Sequence, residues 1–190
     1  MKEDLRVVKT KENIKDGFVH LLSENAFKDI TIQMLVYECK INKSTFYRHY
    51  QDKYDLIEQI SHDLISSFEQ VSCPFREDIT SITLSHLIDY FESNKSTLLI
   101  LDAKQLPINL FQDMHEILTK DIYQYFDKLS HQNEIVYLYS GLIANNILLT
   151  IKYCHMDMYK LSKEALIKII LQTIENGLKQ TALDILNIEY

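Results

Sequence analysis

Two side chains fit to cap the start of a helix, Thr31 and Asn42, stand only eleven positions apart. Each offers an oxygen that can accept a hydrogen bond from a free amide in the first helical turn. Between them there is room for one short helix and an immediate turn, after which a second helix must begin. Ile32, Leu35 and Val36 repeat at helical spacing in the first segment, the pattern breaks at Cys39-Lys40, and Ile41 supplies an apolar anchor. In the second segment Phe46 and Tyr50 lie four apart and share a face that can turn inward. Lys43, Ser44, Thr45, Tyr47, Arg48 and His49 are left for solvent or a partner. A plain buried hairpin has no reason to gather those six side chains. A helix-turn-helix that sets its second helix in a DNA major groove does.

The wording Ile41-Asn42-Lys43-Ser44-Thr45-Phe46-Tyr47-Arg48-His49-Tyr50, followed by Asp52-Lys53-Tyr54-Asp55-Leu56, resembles the N-terminal DNA-binding domain of the tetracycline-repressor (TetR/AcrR) family of bacterial transcription regulators. The resemblance covers roughly residues 8–60, about a third of the chain. The family usually has Gly where Lys40 and Ala where Val36 stand, and favours Gly near Ala26. If the turn takes a left-handed residue at position 40, Lys carries modest strain relative to Gly. The resemblance implies phosphate contacts from Thr31, Tyr47, His49 and Lys53, at the ends and one edge of the motif. Base reading is expected of Lys43, Ser44, Thr45 and Arg48, near the start and on the exposed face of the second helix.

With three Gly and two Pro in 190 residues, and Leu and Ile plentiful, long helices are favoured over a turn-rich β architecture. The expected fold is all-α: an N-terminal three-helix helix-turn-helix domain over residues 1–55, then a helical ligand-binding and dimerisation domain over 56–190. Helices are expected from after Thr10 to Glu24, Asp52 to Val71, residues 79–92, around Leu98–Leu101, Pro107 to Leu129, Glu134 to Cys154 and Lys163 to Leu178, with a partly helical tail. Pro74 breaks the loop at 72–78. No apolar run is expected to reach the ~18–20 residues that span a bilayer. The charged start Met1-Lys-Glu-Asp-Leu-Arg lacks the pattern of a secretory signal, so a cytoplasmic protein with no membrane partner is expected.

Cys39, Cys73 and Cys154 are odd in number and widely spaced, and are expected to be free thiols. No Cys-x-x-Cys or His-x-x-x-His pair occurs, and Cys154-His155 is one adjacent pair, so neither metal nor cofactor is expected. The net charge of −7 is unevenly spread. Residues 1–60 hold ten basic and ten acidic side chains, and residues 61–190 hold ten and seventeen. The DNA-binding segment is therefore neutral, and its local cations remain free to meet phosphate. So modest a cluster implies weak non-specific binding, and specific affinity then needs two copies acting together.

The segments 134–154 and 163–178 are apolar over more than one stripe, and a helix apolar all round must be buried all round. A small domain covers one side, so the other is expected to face a second copy, through Leu138, Gly141, Leu142, Asn145, Leu166, Ile170 and Ile174. In the family this chain resembles, the last two long helices of each subunit form such a bundle across a two-fold axis. The chain has twelve Tyr and no Trp. A Tyr joins an apolar ring to a polar tip, which suits a small-molecule cavity as well as a core. His86, Tyr90, Tyr123 and Tyr137 are the expected ligand contacts, with His115 a further histidine fit for a pocket.

The function expected is a homodimeric transcriptional regulator, a repressor released from an inverted-repeat DNA operator by a small-molecule effector or another signal. The competing readings are a helical interaction protein without DNA binding, and a redox-responsive regulator acting through Cys39 beside the second helix of the motif. An enzyme is not expected, because no Gly-rich phosphate loop, Gly-x-Ser-x-Gly or His-Glu-x-x-His occurs.

Overall fold

The computed structural model describes residues 5–103, 106–128, 133–155 and 160–179. The expected connector at 130–132, the loop at 156–159 and the tail from 180 lie outside the described residues. Every regular element among the described residues is helical, as the scarcity of Gly and Pro implies.

Helix α1 (Leu5–Glu24) buries Ile14, Phe18, Leu21 and Leu22, the apolar stripe legible in the sequence. It begins earlier than expected. Thr10 does not stop it, because the hydroxyl donates to the carbonyl of Arg6 one turn back, at 2.7 Å, and is satisfied inside the helix. A short 3₁₀ turn, Phe27–Asp29, leads to α2 (Ile32–Glu38), and α3 (Lys43–His49) follows. Both expected caps form: Thr31 Oγ1 accepts from the Met34 amide at 3.2 Å, and Asn42 Oδ1 from the Thr45 amide at 2.9 Å. α4 (Lys53–Ser72) opens on a reciprocal cap. Asp52 accepts from the Tyr54 and Asp55 amides at 2.7 and 2.9 Å, and Asp55 accepts from the Gln51 amide at 2.7 Å.

Between α2 and α3 the chain reverses on Lys40, whose φ is 53°. The Ile41 amide reaches back to the Val36 carbonyl at 3.0 Å and the Lys40 amide to Tyr37 at 3.2 Å. That pair of bonds, with a left-handed residue after the helix, is the Schellman arrangement, usually made with glycine. A close approach fixes α1 against the end of α2. Asn13 Nδ2 donates to the Cys39 carbonyl at 2.8 Å, and a Cβ on Gly17 would lie 2.5 Å from Cys39 Sγ. Only glycine leaves the helices room to meet there.

The remaining elements are a 3₁₀ turn at Cys73–Arg76, α5 (Ser81–Ser93), α6 (Lys95–Ala103), α7 (Leu110–Asp127), α8 (Asn133–His155) and α9 (Lys163–Thr173), which passes into a π-helical turn, Ile174–Lys179. α7 starts three residues beyond Pro107 rather than at it. The chain divides into two compact units, the described parts of Met1–Leu64 with Ser96–Leu110, and of Ile65–Lys95 with Phe111–Tyr190. In the first, Phe18, Leu22, Ile30, Leu35, Leu56 and Ile57 are almost fully buried in the core, to which α3 contributes Phe46. In the second, Phe68 meets Tyr90 and Phe91 edge-on at ring distances of 5.6 and 6.4 Å. Asp121, 2% exposed, accepts from Ser72 Oγ and from Arg76 Nε, each at 2.6 Å, and joins the end of α4 to α7. A buried carboxylate is tolerable only with such partners.

α8 departs from one expectation. From Glu134 to Cys154 it is long and apolar enough, with a mean hydropathy of 1.3 over its most apolar 18 residues, to cross a membrane by length and composition alone. Ser140, Asn145, Asn146 and Thr150 divide it into short apolar runs, none of which is itself long enough to span a bilayer. It packs against α5 and α9, and 39% of its most apolar window is buried within the chain.

Candidate nucleic-acid interface

α3 is only seven residues long and is held from below. Phe46 is fully buried and Tyr50 nearly so, their rings 5.7 Å apart, so both residues expected to face inward do so. With those two fixed, the helical period turns Lys43, Ser44, Tyr47 and Arg48 outward, and all four are exposed. Thr45 and His49 are half-buried at the flanks. Neither Lys43 nor Arg48 makes an ion pair with another described residue, so each guanidinium or ammonium is available to an anion or a guanine edge. Tyr47 stands edge-on to Phe46, ring centroids 5.6 Å apart, which braces its phenol in an outward pose.

The cap residue organises more than the helix start. Asn42 Oδ1 accepts from Ser44 Oγ at 2.7 Å and from Thr45 Oγ1 at 2.8 Å, in addition to the Thr45 amide. Both hydroxyl protons are thus committed, and their oxygens are left as acceptors suited to an adenine or cytosine amino group. Thr31 uses its oxygen as acceptor for the Met34 amide and keeps its proton to donate. Tyr37 on α2, 83% exposed, gave no signal in the sequence, because only the register of the helix distinguishes it from a core aromatic. Lys40, the turn residue, is exposed as well.

Lys53, expected at a phosphate, rests its ammonium on the carbonyls of Phe27, Lys28 and Ile30, at 2.8, 3.0 and 2.8 Å. The Phe27 ring lies 4.8 Å away. A cation that can saturate all three of its protons on backbone oxygens beside an aromatic face has little reason to point outward.

Cys39 is 6% exposed, donates weakly to the Asn13 carbonyl at 3.5 Å, and burial pushes its thiol up to about 11. Oxidants attack accessible thiolates, so this environment works against the redox reading. Cys73 is exposed and Cys154 half-buried.

The expected ligand contacts are not brought together. Tyr123 and Tyr137 touch at 5.7 Å between α7 and α8. Tyr137 borders an open depression of about 640 Å³ with His115, Thr119, Leu138, Gly141 and Leu142. His115 Nε2 lies 3.1 Å from the Gly141 carbonyl. His86 instead borders a separate depression of about 490 Å³ with Ile82, Lys163 and Ile167. Tyr90 is packed against Phe68 and Phe91, and burial pushes its hydroxyl up to about 12.

The residues expected at a subunit interface also separate into two groups. Leu138 (60% exposed), Leu142 (43% exposed) and Asn145 form an open stripe on α8, with Gly141 beside it. Leu166, Ile170 and Ile174 are buried within the chain itself. Their helix turns them toward α5 and α8, and the outward apolar residue of α9 is Ile169. A helix apolar on every side gives no means of telling inner from outer face by sequence.

Comparison with known proteins agrees with this geometry. A family model described as "Bacterial regulatory proteins, tetR family" matches residues 16–60, the segment that carries α3 and its floor. The chain is similar to an HTH-type transcriptional regulator of Staphylococcus aureus (strain bovine RF122 / ET3-1), with 23% identity over 111 residues. That alignment spans 55% of this chain and 60% of the relative's length. A TetR transcriptional regulator from Streptococcus agalactiae 2603V matches with a TM-score of 0.63 and 25% identity, over 90% of this chain and 96% of that one. A gamma-butyrolactone receptor described as ArpA-like shares the fold, with a TM-score of 0.56 and 16% identity over 94% of this chain and all of that one. So does a dihydroxyacetone kinase operon activator, with a TM-score of 0.52 and 18% identity over 95% and 97%.

Proposed function

We infer that this chain, which belongs to the TetR family of bacterial transcriptional regulators, is a cytoplasmic homodimeric repressor that binds an inverted-repeat operator. A small-molecule effector or another signal then releases it. The observation that carries the DNA-binding half is the outward row of Lys43, Ser44, Tyr47 and Arg48 over a floor made by Phe46 and Tyr50. Lys43 and Arg48 suit guanine, the Thr45 methyl suits thymine, and Ser44 accepts from an amino group. Thr31, Tyr47 and His49 lie where hydroxyl and imidazole donors can meet phosphate and fix the register. The family consists of regulators rather than enzymes.

One short helix contacts too few bases for useful specificity, so a second copy is required, and a two-fold pair reads half-sites of opposite orientation. The open stripe Leu138, Leu142, Leu149 and Tyr153, with Ile169 on α9, supports self-association. Effector control is supported more weakly, by the depression beside Tyr137 and His115. The test is to select genomic fragments with the purified full-length protein and sequence them. An inverted repeat protected by a dimer, with promoter activity rising when the gene is deleted, supports the reading. Random fragments, or a promoter that falls silent on deletion, would count against DNA reading and repression respectively.

A further inference from the structure

We propose that Lys53 is a positioning residue, a clasp joining the two ends of the helix-turn-helix, which sets the seat of α3 without itself touching DNA. The inference rests on reading α3 as the helix that meets bases. The chain enters the motif at Phe27–Ile30, immediately before the Thr31 cap, and leaves α3 through Tyr50–Asp52, immediately before Lys53. One side chain at the exit therefore binds the backbone of the entrance, through three carbonyls at 2.8–3.0 Å. Everything between, both helices and the Lys40 turn, is a loop closed at its base by that ammonium.

The anchor is fixed at both sides. At the exit, the Asp52 and Asp55 carboxylates hold the backbone around Lys53 by accepting three hydrogen bonds from its amides. At the entrance, Phe27 is buried, and its ring meets Tyr54 edge-on at 5.2 Å while facing the ammonium. The three oxygens surround a point, and an ammonium is a point donor with three protons. A guanidinium is a flat fork and cannot place its protons on that tripod. Charge alone therefore does not replace lysine here, and this separates a clasp from a phosphate contact.

The test compares wild type, Lys53→Met and Lys53→Arg as full-length proteins, on the selected operator duplex and on an unrelated duplex of equal length, across a salt series. Binding is measured at a temperature where circular dichroism shows each protein fully folded. For a clasp, both variants lose about tenfold or more on the operator and less than twofold on the unrelated duplex, with an unchanged slope of log affinity against log salt. A phosphate contact would lower that slope by about one in Lys53→Met, on both duplexes, and Lys53→Arg would restore it. That result overturns the proposal. An equal loss on both duplexes that follows the folded fraction, or no loss at all, overturns it too. Should Lys53→Met not fold, Lys53→Arg and wild-type protein with ¹⁵N-labelled lysine still decide. The Lys53 ammonium resonance should stay in place when operator is added, and a scalar coupling to phosphorus would refute the clasp. If wild type itself selects no operator, the reading of α3 fails before this inference is reached.

Discussion

Two surfaces of this chain are left uncovered for opposite reasons. On α3 the apolar residues are spent inward, on Phe46 and Tyr50, and what remains outside is cationic and hydroxylic. On α8 the inward face is already full, with Val136, Ile143, Ile147 and Ile151 buried, and what remains outside is Leu138, Leu142, Leu149 and Tyr153. The first surface loses little by standing in water and gains by meeting phosphate and base edges. The second has apolar area in water that burial would stabilise by roughly 25 cal/mol per Å². The two surfaces thus suit partners of different chemistry, an anionic one at α3 and another apolar surface at α8.

The largest effects should come from exchanging the two chemistries. Leu138→Glu with Leu142→Glu puts charge on the open stripe, where the side chains can stay solvated in a monomer. We expect a folded monomer by sedimentation at micromolar concentration and a loss of operator affinity of roughly a hundredfold or more, since paired half-sites are lost. Ile170→Glu is the contrast. Ile170 is 0% exposed, so the charge enters the subunit core, and destabilisation of several kcal/mol with insoluble protein is expected. A wild-type monomer that binds one half-site tightly would end the comparison.

Next in size is Lys43→Ala, on the polar surface. It should cost roughly 1–3 kcal/mol on the best operator and relax preference at one or two positions. Competition binding against a randomised library measures both. Loss spread evenly over all sequences would make Lys43 a phosphate contact. Tyr47→Phe should do less, about 0.5–1.5 kcal/mol, evenly across sequences, because it removes one hydroxyl bond and keeps the ring on Phe46. A changed base preference in that variant would move Tyr47 among the readers.

The polar region was far more legible in the sequence than the apolar one. Thr31, Asn42, Phe46 and Tyr50 announced caps and floor because local spacing alone decides those roles, and each took its expected place. Lys53 reads in the sequence as a surface cation at a helix start, and the carbonyl tripod on which its ammonium rests lies over twenty residues away. Gly17 gave no signal, since its value lies in the approach of Cys39 from another helix. In α8 and α9 the apolar residues were easy to find, but their faces were not. Ile169 and Ile170 are adjacent and chemically identical, yet one is 43% exposed and the other buried. Only packing against α5 and α8 decides between them.

The smallest effect concerns the turn that supports the polar surface. Lys40 holds φ at 53°, where its Cβ crowds the backbone and glycine would not. Lys40→Gly keeps the two Schellman bonds of Lys40 and Ile41 and removes that crowding, while freeing the unfolded chain somewhat. The net gain should be about 0.5–1 kcal/mol, read as a higher urea midpoint at unchanged slope. Lys40→Val should lose more than that, because a β-branched residue tolerates the left-handed region least. The pair separates backbone from charge: both variants remove the same cation, so any shared fall in DNA affinity belongs to the ammonium, and their difference in stability belongs to φ. Equal stability in the two variants would mean that the turn between α2 and α3 does not hold a left-handed residue, and the seat of the polar surface would need to be redrawn.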